Sequence, residues 1–291
     1  MLITKKTDLG KSTYQFDITI PKEQVAEKYN QAFDLLASEL EVSGFRKGKA
    51  PKNIAEKHIK KEAVYEKLIN DLMPGLYQEL LKQENLKPII SPKIELIKAK
   101  DNEIWEIRIT IAEKPKIDLK NYKELIKNIK SEEKKKDIWV PGKPNKQEPS
   151  TKEKEDNKMK MFNKIFETFL KNIDVKISNL IVETELNKRL TQLVDDVRKV
   201  GLTTEQYLKS KNETLDSLKE KFKKEIEEMY KLEFILEEIN EAEKIIVEQK
   251  DLDALFLNIK DEKERQKAKQ NAYFYASILR RQKTLDFLMT L

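Results

Sequence analysis

The chain contains no cysteine, six glycines and a single histidine among its 291 residues. Without cysteine it can form no disulfide, no thiolate nucleophile and no cysteine-ligated metal site. No segment approaches the roughly 20 consecutive apolar residues that span a bilayer, and the N-terminus has no apolar signal-peptide core. We therefore expect a cytoplasmic protein with no membrane partner.

Motifs that carry chemistry are equally scarce. The sequence has no Walker loop, dinucleotide fingerprint or HExxH motif, and its one histidine, His58, lies among lysines with no nucleophile beside it. Adjacent acids such as Asp195 and Asp196 would point about 100° apart on a helix and could not share a proton. The sequence thus predicts no enzyme, no catalytic residue, no cofactor and no metal.

Positive charge is concentrated in one short segment. The net charge of the chain is +6, and residues 44–61 hold seven lysine or arginine residues against the single acid Glu56. The excess of this segment therefore equals the net charge of the whole chain. A polyanionic partner is expected to meet the N-terminal half.

Within this segment, residues 44–51 read GFRKGKAP. The two glycines can adopt positive φ at little cost, and the proline presets the first turn of a following helix. The motif predicts an exposed tip that offers an aromatic ring and three cations to a phosphate-rich surface. The alternative is a solvated basic turn with one stray phenylalanine, which the scarcity of glycine elsewhere disfavours. The predicted binding residues are Gly44, Phe45, Arg46, Lys47, Gly48, Lys49 and Pro51.

The first 115 residues predict an α+β domain in which helices accompany an antiparallel sheet. Apolar and polar residues alternate in TYQFDITI and EIWEIRITIAE, which is typical of half-buried strands. Apolar residues recur at helical spacing after Pro21 and after Pro51, with a break expected at Pro74 and Gly75. The predicted strands cover residues 2–7, 12–20, 92–98 and 103–113, with a hairpin turn at 101–102.

The rest of the chain predicts a charged linker, residues 116–158, followed by an elongated all-α domain, residues 159–291. The stretch 131–158 holds three prolines and 15 charged residues, and it has too few apolar residues to offset the entropy of ordering. Helices are expected over about 159–173, 180–197, 204–211, 215–241, 249–260 and 262–290, with Gly201 as a C-cap and Thr203 or Thr204 and Thr214 as N-caps.

The motif GFRKGKAP, which follows the strand YQFDITI and a proline-opened helix, resembles the ribosome-binding domain of trigger factor, a bacterial nascent-chain chaperone. The resemblance covers about residues 1–115, and NLIVETELNKRLTQLVDDVRKVGLTTEQYL is similar to the helical C-terminal domain of that family. It implies docking on RNA and protein of the large ribosomal subunit beside the polypeptide exit tunnel. It also implies ATP-independent shielding of nascent or unfolded polypeptides by apolar side chains of the helical domain.

Candidate client-binding residues are aliphatic and aromatic residues of the helical arms, seven of which are singled out. Residues that recur at helical spacing are mostly helix–helix core, so we expect a minority of this set at the surface. The set comprises Phe162, Phe166, Phe169, Phe222, Tyr230, Phe234 and Phe256.

The family usually carries a peptidyl-prolyl isomerase domain between these two regions. Here the 28 residues of 131–158 occupy that place, whereas a domain needs on the order of 100 residues and its own core. The stretch also offers one large aromatic, Trp139, where an isomerase pocket needs several. We therefore predict that the isomerase is absent.

Two other classes of protein remain as hypotheses. The first is a general RNA-binding or ribosome-assembly protein with a helical scaffold, which would bind naked RNA with a steep salt dependence. The second is a periplasmic helical chaperone, which the N-terminal sequence disfavours. The sequence leaves open whether free copies form a homodimer.

Overall fold

The structure is a computed structural model that describes residues 2–100, 103–136 and 151–291. The chain divides into two compact units. The first comprises Met1–Lys114 with Ser178–Ile181, and the second comprises Pro115–Ile177 with Val182–Leu291. Each unit has buried apolar residues of its own.

The first unit contains a four-stranded antiparallel sheet. Its strands lie in the order β1-β2-β4-β3, which confirms the predicted antiparallel α+β class. The predicted hairpin turn at 101–102 falls outside the described residues. The strands are β1 (Leu2–Gly10), β2 (Thr13–Ile20), β3 (Lys93–Lys98) and β4 (Trp105–Ala112).

Period-two alternation in β2 and β4 places one face of the sheet in the core. Phe16 lies opposite Ile109 and Ile18 lies opposite Ile107 in the antiparallel register, and all four side chains are buried. Two helices, α1 (Lys22–Glu39) and α3 (Lys61–Glu84), contribute the other side of this core. Full burial of each such side chain contributes about 1.5–3 kcal/mol.

The helical stretch that begins after Pro51 is two helices rather than one. The short α2 (Lys52–His58) ends where Ile59 and Lys60 adopt extended backbone, and α3 then begins at Lys61. Pro51 is the N-cap of α2 rather than a residue of its first turn, so that detail of the prediction is wrong by one position. Its carbonyl still accepts the first helical hydrogen bond, from the Ala55 N–H at 3.0 Å.

Helix α3 runs through Pro74 and Gly75, so the predicted break there is wrong. Both residues are exposed. A proline inside a helix costs about 3 kcal/mol because it removes a donor and crowds the preceding carbonyl. Burial of one apolar stripe along the helix is large enough to offset that cost. The stripe comprises Val64, Leu68, Leu72, Leu76 and Leu80.

Every regular element in the described part of the second unit is helical, which confirms the predicted all-α class. Helix α8 packs against both α5 and α11, and α4 packs against α5. No helix among the described residues is long and apolar enough to cross a bilayer. The helices are α4 (Tyr122–Lys136), α5 (Thr151–Asn172), α6 (Asn179–Lys199), α7 (Thr204–Lys211), α8 (Leu215–Ala242), α9 (Gln249–Leu257), α10 (Glu262–Gln270) and α11 (Ala272–Thr290).

Much of the predicted linker 116–158 is helical, and the helices include 131–136 and 151–158 of the stretch predicted to have too few apolar residues for ordering, so that expectation is corrected. Helix α4 covers 122–136, and α5 already begins at Thr151. Lysine and glutamate are good helix formers, and Tyr122 and Ile126 are buried, so a minority of apolar residues suffices to pack α4. Residues 137–150, which include Trp139, lie outside the described residues.

The predicted helix ends in the second unit are mostly confirmed. Thr203 forms a capping box with Gln206, and the Thr214 side chain accepts a hydrogen bond from the Ser217 N–H. Gly201 has φ +76° and donates to the Arg198 carbonyl as a C-capping residue. The predicted helix 262–290 is wrong in one respect, because Asn271 divides it: this residue is the C-cap of α10 and the N-cap of α11.

Candidate functional site

The basic motif forms the connection between α1 and α2. Gly44 and Gly48 have φ of +89° and +70°, which confirms the predicted left-handed glycines. The Gly48 N–H donates to the Leu40 carbonyl at 3.0 Å and closes the base of the loop. The Phe45 N–H donates to the Val42 carbonyl at 3.0 Å, and the Lys49 N–H donates to the Arg46 carbonyl at 2.9 Å. We call residues 44–51 the tip.

Gly48 is required by space as well as by backbone angle. A Cβ at this position would lie 2.4 Å from the Ser38 carbonyl oxygen, whereas a Cβ at Gly44 would meet nothing within 4 Å. The chain therefore comes back to the end of α1 at a distance that only glycine allows. This close approach fixes the direction in which the side chains before Gly48 project.

The tip presents its ring and its cations to solvent. The Phe45 side chain is 41% exposed, and Arg46, Lys47 and Lys49 are also exposed. Lys47 approaches Glu41 at 3.8 Å between two solvent-exposed groups, a geometry that stabilises little. Among the described residues, Arg46 and Lys49 have no ion-pair partner. The tip therefore offers uncompensated positive charge around an exposed phenyl ring.

The aromatic residues predicted to bind clients divide into two groups. Phe169, Phe234 and Phe256 are buried in the packing of the second unit, so they are removed from the surface available to a client. Four others are half-buried: Phe162, Phe166, Phe222 and Tyr230.

The half-buried aromatics are themselves engaged. Phe162 and Phe166 stack with ring centroids 6.0 Å apart, and the Arg189 guanidinium lies 5.4 Å from the Phe222 centroid. Burial raises the pKa of Tyr230 to about 12. Each of the seven predicted aromatic side chains is at least partly buried.

The most exposed aromatic side chains of the second unit were missed by the periodicity analysis. Tyr273 is 91% exposed, and Phe274 and Ile278 are 60% and 47% exposed, all near the start of α11. Leu257, at the end of α9, is 74% exposed. The sequence signal for this group is the aromatic run AYFYASIL that begins at residue 272, but the helix predicted over 262–290 includes this run without a boundary. We call Tyr273, Phe274 and Ile278 the α11 patch.

The described residues contain no group of three or more histidine, aspartate or glutamate side chains placed to hold a metal ion. The geometry of the tip suits contact with an anionic surface through cations and one aromatic ring. The geometry of the α11 patch suits contact with apolar groups, because exposed large apolar side chains that cluster commonly mark interaction sites.

Family models match almost the whole length of the chain. One described as "Bacterial trigger factor protein (TF)" matches residues 1–139, and one described as "Bacterial trigger factor protein (TF) C-terminus" matches residues 145–289. The chain belongs to the trigger factor family. The two matches leave residues 140–144 between them.

Curated relatives match about two fifths of the chain. The trigger factor of Ligilactobacillus salivarius (strain UCC118) is 33% identical over 119 residues, which are 41% of this chain and 26% of that protein. The trigger factor of Rhodococcus opacus (strain B4) is 32% identical over 117 residues, 40% of this chain and 25% of that protein. The chain thus spans about a quarter of the length of the curated relatives it matches.

The fold is also found in a solved structure of the trigger factor chaperone, described in terms of promiscuous substrate recognition in folding and assembly. The match has a TM-score of 0.61 with 15% sequence identity and covers 99% of each chain. At this identity the likeness concerns the fold, which is an N-terminal sheet with helices followed by a helical part.

Proposed function

We propose that this protein is a cytoplasmic, ribosome-docked chaperone that shields nascent chains without ATP. The observation that carries the proposal is the tip, in which two left-handed glycines hold Phe45 and its neighbouring cations at the surface. Membership of the trigger factor family supports the same role. The proposed binding site is on the large ribosomal subunit, near the polypeptide exit tunnel.

The tip would bind through two interactions of different range, one electrostatic and one apolar. Arg46, Lys47 and Lys49 steer the protein to a phosphate-rich surface and form charge-assisted contacts there. The Phe45 ring adds a short-range apolar or stacking contact that orients the tip. Because the charges are exposed, their part of the affinity falls as ionic strength rises.

Client contact is assigned to apolar side chains that the second unit leaves exposed. The α11 patch is the strongest candidate because its three exposed apolar side chains lie within the first turns of one helix, with Phe274 and Ile278 one turn apart on the same face. Binding there would be weak and tolerant of sequence, since it depends on apolar area rather than on directed hydrogen bonds. The half-buried aromatics Phe162, Phe166, Phe222 and Tyr230 are secondary candidates.

We propose that no isomerase domain stands between the two matched regions and that the chain works by binding alone. An isomerase assay on a proline-containing peptide is therefore expected to give the uncatalysed rate.

Two assays on the full chain test the proposal. Purified protein is expected to cosediment with large ribosomal subunits and to slow aggregation of an unfolded client with no added nucleotide. Failure in both would overturn it. Tight binding to naked RNA that exceeds binding to subunits would favour the alternative, a general RNA-binding or assembly protein.

A further inference from the structure

A second group of basic and aromatic side chains lies beside the tip. A cavity of about 470 Å³ opens in the first unit between α1, α2 and the start of α3. Its volume is within the range of small-ligand sites, about 300–1,000 Å³. Aromatic rings from α1 and α3 line it, and lysines from all three helices surround them. The relevant lining residues are Lys22, Tyr29, Phe33, Lys52, Lys61 and Tyr65.

We propose that this cavity binds one unstacked nucleotide of a single-stranded RNA segment, with the base against the tyrosine rings and the phosphate among the lysines. The inference rests on the proposed function, because the ribosome would supply the RNA. It adds a second RNA contact that the motif at residues 44–51 does not include.

The aromatic wall is held in place by packing. The ring centroids of Tyr29 and Tyr65 lie 5.0 Å apart, and the two ring planes are tilted by 55°. The ring centroids of Tyr65 and Trp105 lie 5.6 Å apart. Trp105 is fully buried, whereas both tyrosines are half-buried. Part of each tyrosine ring therefore remains accessible on a rigid support. Stacking on such rings is the sequence-tolerant element of single-strand recognition.

The charge around the rings favours an anion. Among the described residues that line the cavity, three are lysines and one is an acid, Glu56. The Lys52 ammonium lies 5.6 Å from the Phe33 centroid, so it is held at the cavity wall. Lys22 approaches Glu23 at 3.9 Å between exposed groups, and that contact leaves its charge available to a phosphate.

The position of the cavity connects it to the tip. Lys52 is the first residue of α2 and follows Pro51, the last residue of the tip. Helix α1 leads into the tip at one end and lines the cavity along its earlier turns. An RNA strand that meets Arg46 and Lys49 can thus continue toward Lys52 over one basic surface. An acidic peptide would satisfy the lysines but gains less from two fixed aromatic faces.

Binding of a fluorescently labelled RNA octamer to the full chain tests the proposal. The variant Lys22→Gln/Lys52→Gln is compared with Lys82→Gln/Lys87→Gln, which neutralises two exposed lysines of the same unit outside the cavity. We expect the magnitude of the slope of log affinity against log salt to decrease by about 0.7 for the first variant, since the cavity holds one phosphate and each neutralised phosphate of a single strand contributes about 0.7. The control slope should match the unmodified chain.

The base contact is tested at Tyr29. The variant Tyr29→Leu should weaken octamer binding by about fivefold or more, and Tyr29→Phe should retain it, because stacking on one ring is worth about that factor or more. An octamer with abasic sites should bind the unmodified chain as weakly as the normal octamer binds Tyr29→Leu. The Phe variant keeps the ring packing and guards against a loss caused by unfolding.

Several results would overturn the proposal. They are an octamer that does not bind, a cavity variant that behaves like its control, an abasic octamer that binds equally well, or AMP or an acidic peptide that binds as tightly as the octamer. Cosedimentation with ribosomal subunits separates this inference from the proposed function. If the unmodified chain sediments with subunits but the cavity variants bind RNA normally, only the inference fails.

Discussion

A Cβ added to Gly48 would lie 2.4 Å from the carbonyl oxygen of Ser38. The same addition at Gly44 would meet open space, although both glycines have positive φ. The two positions therefore separate the cost of the backbone angle from the cost of a steric clash. The backbone angle and the close approach both determine the conformation of the tip.

We predict that Gly48→Ala destabilises the protein more than Gly44→Ala does. Gly44→Ala should cost about 1 kcal/mol, the penalty for a left-handed L-residue. Gly48→Ala adds a backbone clash and should cost at least about 1 kcal/mol more, or else shift the tip. Thermal unfolding measures the first outcome and ribosome cosedimentation the second. Equal behaviour of the two variants in both assays would contradict the close approach to Ser38.

The α11 patch makes a separate prediction for client protection. The variant Tyr273→Ser/Phe274→Ser/Ile278→Ser should lose most of its ability to slow client aggregation. Its free energy of unfolding should change little, because exposed substitutions usually stay within about 0.5 kcal/mol each. Light scattering of an aggregating client measures the effect.

The matched control for the patch is Leu9→Ser/Ile97→Ser, which removes exposed apolar side chains from the first unit. It should leave client protection unchanged. By contrast, Phe169→Ala should cost about 3–5 kcal/mol of stability because that ring is fully buried. If the α11 variant still protected the client fully from aggregation, the assignment of client binding to that patch would be contradicted.

The polar face of the sheet predicts a pH dependence. Arg108 lies opposite Asp17 in the register of β2 and β4, and its Nε donates to Asp17 Oδ1 at 2.8 Å. The hydrogen bond from Arg108 lowers the pKa of Asp17. The folded-state pKa is thus below the unfolded value of about 3.9. The stabilisation is complete above that unfolded value and is lost as pH falls through the folded-state pKa.

The melting temperature of Asp17→Asn should accordingly lie below that of the unmodified chain at about pH 7, and the difference should shrink toward about pH 2. Both groups are partly exposed, so the difference should also diminish in high salt. Asp34→Asn, at an exposed acid on α1, serves as the control and should show little difference at either pH. A gap for Asp17→Asn that widens in acid would reverse the expected sign.

Local sequence signals predicted the strands, helix caps and turns, which depend on the backbone preferences of individual residue types. The strands followed from period-two alternation, the caps from Thr203 and Thr214, and the left-handed turns of the tip from Gly44 and Gly48. In each case the residue type itself restricts the backbone, so the prediction needed no knowledge of distant contacts.

The larger failures concern tertiary context. Pro74 stays within a helix because packing of that helix outweighs the local penalty. Helix α4 forms in a segment whose composition resembles a linker because Tyr122 and Ile126 find partners. Periodicity also cannot tell a buried ring such as Phe234 from an exposed one such as Phe274, since both fit a helical stripe. The cavity at Tyr29 and Tyr65 likewise arises only when separate helices meet.

The most direct test of the account is cosedimentation of the full chain with purified large ribosomal subunits at about 150 mM salt, near physiological ionic strength. The account predicts that the unmodified chain pellets with subunits and that Phe45→Ala/Arg46→Ala/Lys47→Ala binds at least about tenfold more weakly with an unchanged melting temperature. Lys82→Gln/Lys87→Gln should pellet normally. An unmodified chain that stays in the supernatant, or a triple variant that pellets equally well, would contradict it.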